Sequence, residues 1–286
     1  MISRSKVAPD DLLALKRSGH KITMLSIHDY AIARIADASG LDTILVGDSL
    51  AVTALGHRNT VSVTLDEMLH HTRIVARGVD RVMVVADMPF LSYQVCPEEA
   101  VRNAGRFIKE AGADAVKIEG GEASVSTLKA IHAAGIPIMG HVGLTLQSAG
   151  QLGGRGVQGM SAEAARALIA DALALEAAGA FAVILQSMPG ELAQVITDRL
   201  HIPTISYGAG SGCDGQGLVA ADVLGLGVTP TPGYARRYLD LDRMIGEAVA
   251  AYCQDVRNGA FPADDHTPRL EGAAHAELVA ALRDDQ

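Results

Sequence analysis

Six polar residues, Asp48, Asp87, Lys117, Glu119, His141 and Gln186, stand at the ends of short apolar runs. The runs are TILVGDS (43–49), RVMVVADM (81–88), AVKIEGG (115–121), IPIMGHVG (136–143) and AFAVILQS (180–187). Three carboxylates brought to one place repel each other unless a cation joins them. A hard divalent ion with oxygen ligands, Mg²⁺ most naturally, resolves that repulsion. Lys117 can offset one further charge. A single Asp after a strand is often a helix cap. Three acids with a Lys and a His at corresponding positions point instead to a shared site. His141 has two readings: a buried histidine satisfied by backbone, or a donor to a substrate oxyanion and acid–base group.

The elements that must position these residues follow from the same runs. KITMLSI (21–27) and PTISYGAG (203–210) extend the series, and LVAADVLGL (218–226) is a weaker eighth member. Near-continuous apolar runs suit parallel strands covered on both faces. Helix signals lie between them. Thr64-Leu65-Asp66-Glu67 is a capping box, Pro97 with Glu98 and Glu99 opens another helix, and Ser161 caps 162–178 before Gly179. Eight such alternations predict an α/β fold, a single-domain (β/α)₈ TIM barrel, because only there do five consecutive strand ends share one face. A doubly wound sheet spreads them along a line. Side-chain alternation places Ile44, Val46 and Asp48 on one face. Met83, Val85 and Asp87 share another, as do Lys117 and Glu119, Met139 and His141, and Ile184 and Gln186. The apolar members are expected to fill the barrel. We expect an N-terminal helical segment at 1–20, the barrel at 21–262 and a C-terminal tail at 263–286. A terminal helix is expected within 234–258, on the spacing of Tyr238, Leu241, Met244, Ile245 and Val249. The long gaps 50–63 and 144–160 are expected to cover a site.

Composition narrows the function. The 286 residues hold 24 Lys and Arg against 33 Asp and Glu, a net charge of −9, with 49% hydrophobic and 20% charged residues. That is a globular balance. The acidic excess argues against nucleic acid, as do 3% aromatics and no Trp. Cys96, Cys213 and Cys253 form neither a disulfide framework nor a zinc pattern and fit a reducing cytoplasm. No run approaches about 18 apolar residues, so no membrane span is expected. MISRSKVAPDDLLALKRSG carries charges throughout, so no secretory signal is expected. Gly210-Ser211-Gly212-Cys213-Asp214-Gly215 fits G-x-G-x-x-G, but it follows the seventh strand instead of opening a first βαβ unit. A dinucleotide site is therefore rejected, while a glycine loop close to an anionic substrate stays open.

The longer motifs resemble a known family. They are VGDSL (46–50), HHTRIVARG (70–78), VADMPFLSYQ (85–94), NAGR (103–106), GADAVKIEGG (112–121), GIPIMGHVGLT (135–145), QLGG (151–154), ELA (191–193) and GAGSGCDGQ (208–216). In order and over about residues 20–262, they are similar to ketopantoate hydroxymethyltransferase, a barrel of the phosphoenolpyruvate mutase/isocitrate lyase type. The resemblance implies a homo-oligomer, usually a decamer. It implies Mg²⁺ held by Asp48 and Asp87, with Glu119 direct or through water. It implies a 2-oxo acid contacted by Ser49, Lys117 and His141 beside the metal ligands Asp48 and Asp87. It further implies an enolate that attacks the one-carbon unit of 5,10-methylenetetrahydrofolate, so a folate is the second partner.

The departures cluster near the expected site. The family's Glu in a segment like LECVP, its usual base, is Gln186 here, and an amide accepts no proton at neutral pH. Leu146 replaces a proline. Ala149-Gly150 stand for Val-His, and Arg155 and Met160 for Tyr and Arg. Ala51 replaces a Gly, and Ser206-Tyr207 replace Ile-Gly. Three expectations follow. One is the ordinary transfer, with Gln186, His141 and Lys117 as its catalytic residues. Another is a divergent relative that cleaves a C–C bond, decarboxylates or runs aldol chemistry on another 2-oxo acid. The third is a non-catalytic binding barrel.

Overall fold

The computed structural model describes residues 6–148, 150, 156–227 and 230–284. In chain order the elements are α1 (Pro9–Ser18), β1 (Ile22–Ser26), α2 (Tyr30–Ala38), β2 (Thr43–Val46), α3 (Leu50–Thr53), α4 (Leu65–Arg77), β3 (Met83–Asp87) and α5 (Pro97–Lys109). There follow β4 (Ala115–Lys117), α6 (Val125–Ala133), β5 (Ile138–Gly143), α7 (Ala162–Ala177), β6 (Ala182–Gln186), α8 (Gly190–Arg199), β7 (Thr204–Tyr207), β8 (Gly215–Val219) and α9 (Ala220–Leu224). The eight strands close in sequence order, every pair parallel, and β8 returns to β1. This is the expected (β/α)₈ barrel.

Local signals set the helices as expected. Thr64 and Glu67 form a reciprocal capping box on α4, and Pro97 opens α5. The Ser161 side chain accepts from the Ala164 N–H at the start of α7. Two apolar layers result. Ile22, Met24, Leu45, Met83, Val85, Met139, Ile184 and Ile205 fill the barrel, and Leu12 of α1 packs with them. A larger layer, with Ile44, Val46, Val84, Val116 and Val183, lies between strands and helices.

Two expectations are corrected. Ile44 and Val46 face the helices, and Leu45 faces the barrel. Asp48 therefore does not follow the pleat of β2. The strand stops at Val46, and a turn at Asp48 and Ser49 brings the carboxylate inward. The eighth strand is Gly215–Val219 instead of 218–226, most of whose first part is α9. Its pattern was hidden because Gly215 and Gly217 stand where apolar residues were sought. A Cβ on Gly217 would sit 2.0 Å from Tyr207 Cε2, so the tyrosine ring takes that space. β7 reaches β8 through residues 208–214 with no helix between. That glycine-rich stretch does not end at the strands' C-terminal side. Asp214 accepts from the Thr204 N–H and from Lys16 Nζ beside the strand starts.

The chain forms two compact units, residues 1–238 and 239–286. The division falls before the terminal helix, whereas the expected tail began at 263. The second unit contains α10 (Leu241–Asn258) and α11 (Gly272–Asp284). Among the described residues no helix is long and apolar enough to cross a membrane.

Candidate active site

One cavity of about 130 Å³ opens at the C-terminal ends of the strands, where such barrels carry their chemistry. Asp48, Ser49, Asp87, Lys117, Glu119, His141 and Gln186 all line it. β2 and its turn supply Asp48 and Ser49, β3 supplies Asp87, and β4 with its continuation supplies Lys117 and Glu119. His141 comes from β5 and Gln186 from β6. Asp48, Asp87, Lys117, Glu119 and His141 are each no more than 7% exposed.

Hydrogen bonds fix this cluster. Lys117 Nζ donates to both Asp87 oxygens, at 2.8 and 2.9 Å, and lies 3.7 Å from Glu119 Oε1. The Asp48 N–H donates to Asp87 Oδ2 at 3.1 Å. Gln147 ties the carboxylates together. Its N–H donates to Glu119 Oε2 at 2.9 Å and its Nε2 to Asp48 Oδ2 at 3.1 Å. Tyr93 Oη donates to Gln147 Oε1 and accepts from the Glu119 N–H. Gln186 is held through its backbone. Its carbonyl accepts the Leu144 N–H at 2.9 Å. A Cβ on Gly143 would lie 2.2 Å from that oxygen, so only glycine allows the approach. Ser187, at φ 48°, turns the chain away.

Three buried carboxylates facing one buried ammonium leave a deficit of positive charge. Burial, then the charges of Asp87 and Glu119, push Asp48 well above the usual carboxylate range despite Lys117. Burial also raises Glu119, with Lys117 opposing and Asp87 adding. Burial alone would lower Lys117, but Asp87, Glu119 and Asp48 hold it above its ordinary value. His141 is pushed well below the usual histidine range by burial and then by Lys117, while the Leu144 backbone and Gln186 side chain pull weakly the other way. It is neutral. Neither ring nitrogen has a hydrogen-bond partner among the described residues, although Glu119 Oε1 stands 3.5 Å from Nδ1. The Leu144 backbone and the Gln186 side chain lie within reach of the ring, so neither reading of His141 is set aside. A buried neutral imidazole at the cavity wall can offer a ligand a hydrogen bond.

The unbalanced carboxylates fit a hard dication in charge and donor type. Among the described residues, however, no group of three or more His, Cys, Asp and Glu is spaced to hold an ion by itself. A dication fits only where a chelating ligand or water completes its shell.

Several wall residues escaped the sequence reading, namely Ser26, Leu45, Asp222 and Tyr234, while Tyr207 was noted only as a departure from the family pattern. Tyr207 Oη pairs with Ser26 Oγ at 3.2 Å in the barrel interior, and burial raises the phenol's pKa. Asp222 was hidden in the misplaced eighth strand. Gln147 had one signal, its place just beyond the GHVGLT stretch. His28 was also missed. Half-buried, it sits 3.4 Å from Ser49 Oγ and 3.3 Å from Thr53 Oγ1. Of the two long gaps, 50–63 carries α3 and 144–160 brings Leu146 to the cavity and Gln147 to its carboxylates. Ala149, Arg155 and the QLGG stretch (151–154) lie outside the described residues. Ala51 is fully buried within α3, and Met160 is exposed.

A second cavity, of about 600 Å³, adjoins the first. Its wall includes Phe90, Tyr93, Gln94 and Thr127, and it shares Glu119 with the smaller one.

Comparison with known proteins agrees with this architecture. The chain is 50% identical over 272 residues to the 3-methyl-2-oxobutanoate hydroxymethyltransferase of Chloroflexus aurantiacus, covering 95% of each chain. It is 50% identical over 262 residues to that of Syntrophus aciditrophicus, covering 92% of this chain and 96% of the other. Among solved structures, phosphonopyruvate hydrolase in complex with oxalate and Mg²⁺ superposes with a TM-score of 0.60 at 14% identity, covering 97% of each chain. The 2,3-dimethylmalate lyase, a PEP mutase/isocitrate lyase superfamily member, gives 0.57 at 16% identity, covering 97% and 99%. At those identities the likeness is one of fold. The model of the ketopantoate hydroxymethyltransferase family matches residues 6–264. With its barrel, its retained motifs and relatives that share half their residues with it, the chain belongs to the ketopantoate hydroxymethyltransferase family, enzymes that transfer a hydroxymethyl group.

Proposed function

We propose that the chain transfers a hydroxymethyl group from 5,10-methylenetetrahydrofolate to 3-methyl-2-oxobutanoate, giving ketopantoate, with Mg²⁺ as its metal. The observation that carries this reading is the single small cavity on which Asp48, Ser49, Asp87, Lys117, Glu119, His141 and Gln186 converge. Its size suits a short 2-oxo acid, and its charge suits an anion that brings a cation with it. Asp48 and Asp87 would hold that ion, with Glu119 behind them. A divalent ion there supplies Lewis-acid polarisation of the 2-oxo group. Lys117 Nζ places a fixed positive charge where the enolate oxygen develops. The Ser49 hydroxyl and the neutral His141 ring offer hydrogen bonds to the acid's oxygens. The adjoining larger cavity, walled in part by Phe90 and Tyr93, has room for the folate.

Gln186 supports a second reading, in which the cavity makes its enolate by decarboxylation or C–C cleavage of another 2-oxo acid, because neither route removes a C3 proton. A barrel that binds without turnover is the remaining outcome. The chain's free thiols suit the reducing cytoplasm expected for either reaction, and a homo-oligomer, a decamer by family pattern, is the proposed assembly.

The test incubates the protein with 3-methyl-2-oxobutanoate and 5,10-methylenetetrahydrofolate, with Mg²⁺ and with a chelator. Ketopantoate formed only with Mg²⁺ is the expected result. Binding of the acid without product, while oxaloacetate-type acids are turned over, would favour the second reading. Binding without any turnover would favour the third.

A further inference from the structure

Gln186 stands where the family pattern has a carboxylate, so loss of a C3 proton in this cavity needs another acceptor. The wall's polar groups divide by chemistry. Asp87 gives both oxygens to Lys117, and Asp48 and Glu119 each accept from Gln147. These three are the anionic side that holds cation and substrate, and a proton taken there would remove that charge. Lys117 is itself a cation. His141 is a poor acceptor, because burial and the neighbouring ammonium both oppose its charged form. Ser26 and Tyr207 are engaged with each other. One carboxylate is left on the wall.

It is Asp222, in α9, the third residue beyond β8. It lines the cavity beside Val219, Tyr207 and Tyr234. Its carboxylate accepts no hydrogen bond from the described residues, and Arg237 is the cation whose charge it feels. In a closed barrel running β1 to β8 in order, β8 lies across from β4. Asp222 therefore enters the cavity from the wall opposite Lys117 and Glu119, one strand from Tyr207 of β7 and two from Gln186 of β6.

We propose that Asp222 is the catalytic base that takes the C3 proton of the 2-oxo acid. The assignment rests on the reading of the cavity given above. A substrate whose carboxylate and keto oxygens are held on the β2–β4 side directs its C3 toward the β6–β8 side. The C3–H bond breaks and its electron pair becomes the C2–C3 double bond. The keto π pair moves to oxygen, beside Lys117, and the proton goes to an Asp222 oxygen. Return of the proton to C3 completes the exchange with no further reactant. In the full transfer, water adds to the methylene carbon, its two C–N bonds break with protons going to the two folate nitrogens, and C3 attacks the formaldehyde carbon so formed, whose alkoxide takes the proton from Asp222. Burial supports the role, since it raises the carboxyl's proton affinity against the pull of Arg237 and brings it nearer to the working pH of a base.

The experiment follows exchange of the C3 hydrogen of 3-methyl-2-oxobutanoate in D₂O by NMR, with Mg²⁺ and no one-carbon donor. Binding of the acid is measured beside it by calorimetry, and folding by circular dichroism. The unaltered protein is expected to exchange. Asp222→Asn is expected to bind the acid within about threefold and to exchange ~10²–10⁴ times more slowly. Adding Gln186→Glu to that variant is expected to restore exchange, because a carboxylate returns to the same side of the wall. An Asp222→Asn protein that exchanges at nearly the parent rate overturns the assignment and leaves the substrate reading standing. So does a parent that binds without exchange while Gln186→Glu exchanges. Loss of acid binding together with exchange in Asp222→Asn would give Asp222 a binding role and overturn the assignment. A parent that does not bind the acid overturns both readings.

Discussion

At the scale of single residues, the site is an arrangement of charges that do not balance within the protein. Lys117 satisfies Asp87 and leaves Asp48 and Glu119 to be stabilised by Gln147 and by whatever binds. That is the electrostatic form of a site prepared for a cation and an anionic ligand together. Behind it, His28 is kept neutral. Burial, then His71, lowers its pKa to about 3 from an ordinary 6.5. His71 Nδ1 lies 2.7 Å from the His28 carbonyl and donates to it, while Ser49 and Thr53 face the ring. Between those two pKa values the unfolded chain binds a proton that the folded one refuses. Stability from this group is therefore full above about pH 6.5 and falls as pH drops toward 3, by at most about 1.4 kcal/mol per pH unit. Urea unfolding of the parent and of His28→Gln from near neutrality down to about pH 4.5 checks this. The variant's curve should be flatter across that span. Equal slopes would show that His28 titrates normally in the folded protein.

At the scale of elements, β7 and β8 differ from the rest of the barrel. No helix separates them, and Gly217 gives its side-chain volume to the Tyr207 ring, which places a phenol beside Ser26 at the cavity floor. The close packing of protein interiors makes such a space intolerant of added atoms. Gly217→Ala is expected to destabilise the barrel by about 1–3 kcal/mol. Tyr207→Leu in the same chain should recover much of that loss, because the clash is with the ring. Denaturant midpoints of the two single variants and the double form a thermodynamic cycle. Strict additivity would mean that the contact does not set the cost. The turn after β2 matters in the same way. It converts an outward-pointing strand position into an inward carboxylate, which pleat alternation alone would not do.

At the scale of the whole molecule, every buried core residue among the described residues precedes residue 239. On α10, Ile245, Val249, Tyr252 and Val256 recur at helical spacing and are 45–58% exposed. A stripe of this kind calls for a covering surface, which the proposed homo-oligomer would supply. Light scattering is expected to report a homo-oligomer, shifted toward smaller species by Val249→Lys. A monodisperse monomer for the parent would remove the assembly from the account. The sequence by itself determined the strand–helix alternation, the barrel, the helix caps of α4, α5 and α7, and the family. Those follow from local periodicity, capping chemistry and long retained motifs, all written in neighbouring residues. It also named Asp48, Asp87, Lys117, Glu119, His141 and Gln186 as candidates, because strand ends in a closed barrel share one face, and Ser49 through the family resemblance. Only the tertiary structure decided the phase of β2, the true β8, the Gln147 bridge, the neutral buried His141 and the place of Asp222 on the wall. Each of these depends on contacts between residues far apart in the chain, where one ring, one carbonyl or one buried charge fixes what its distant neighbour can be.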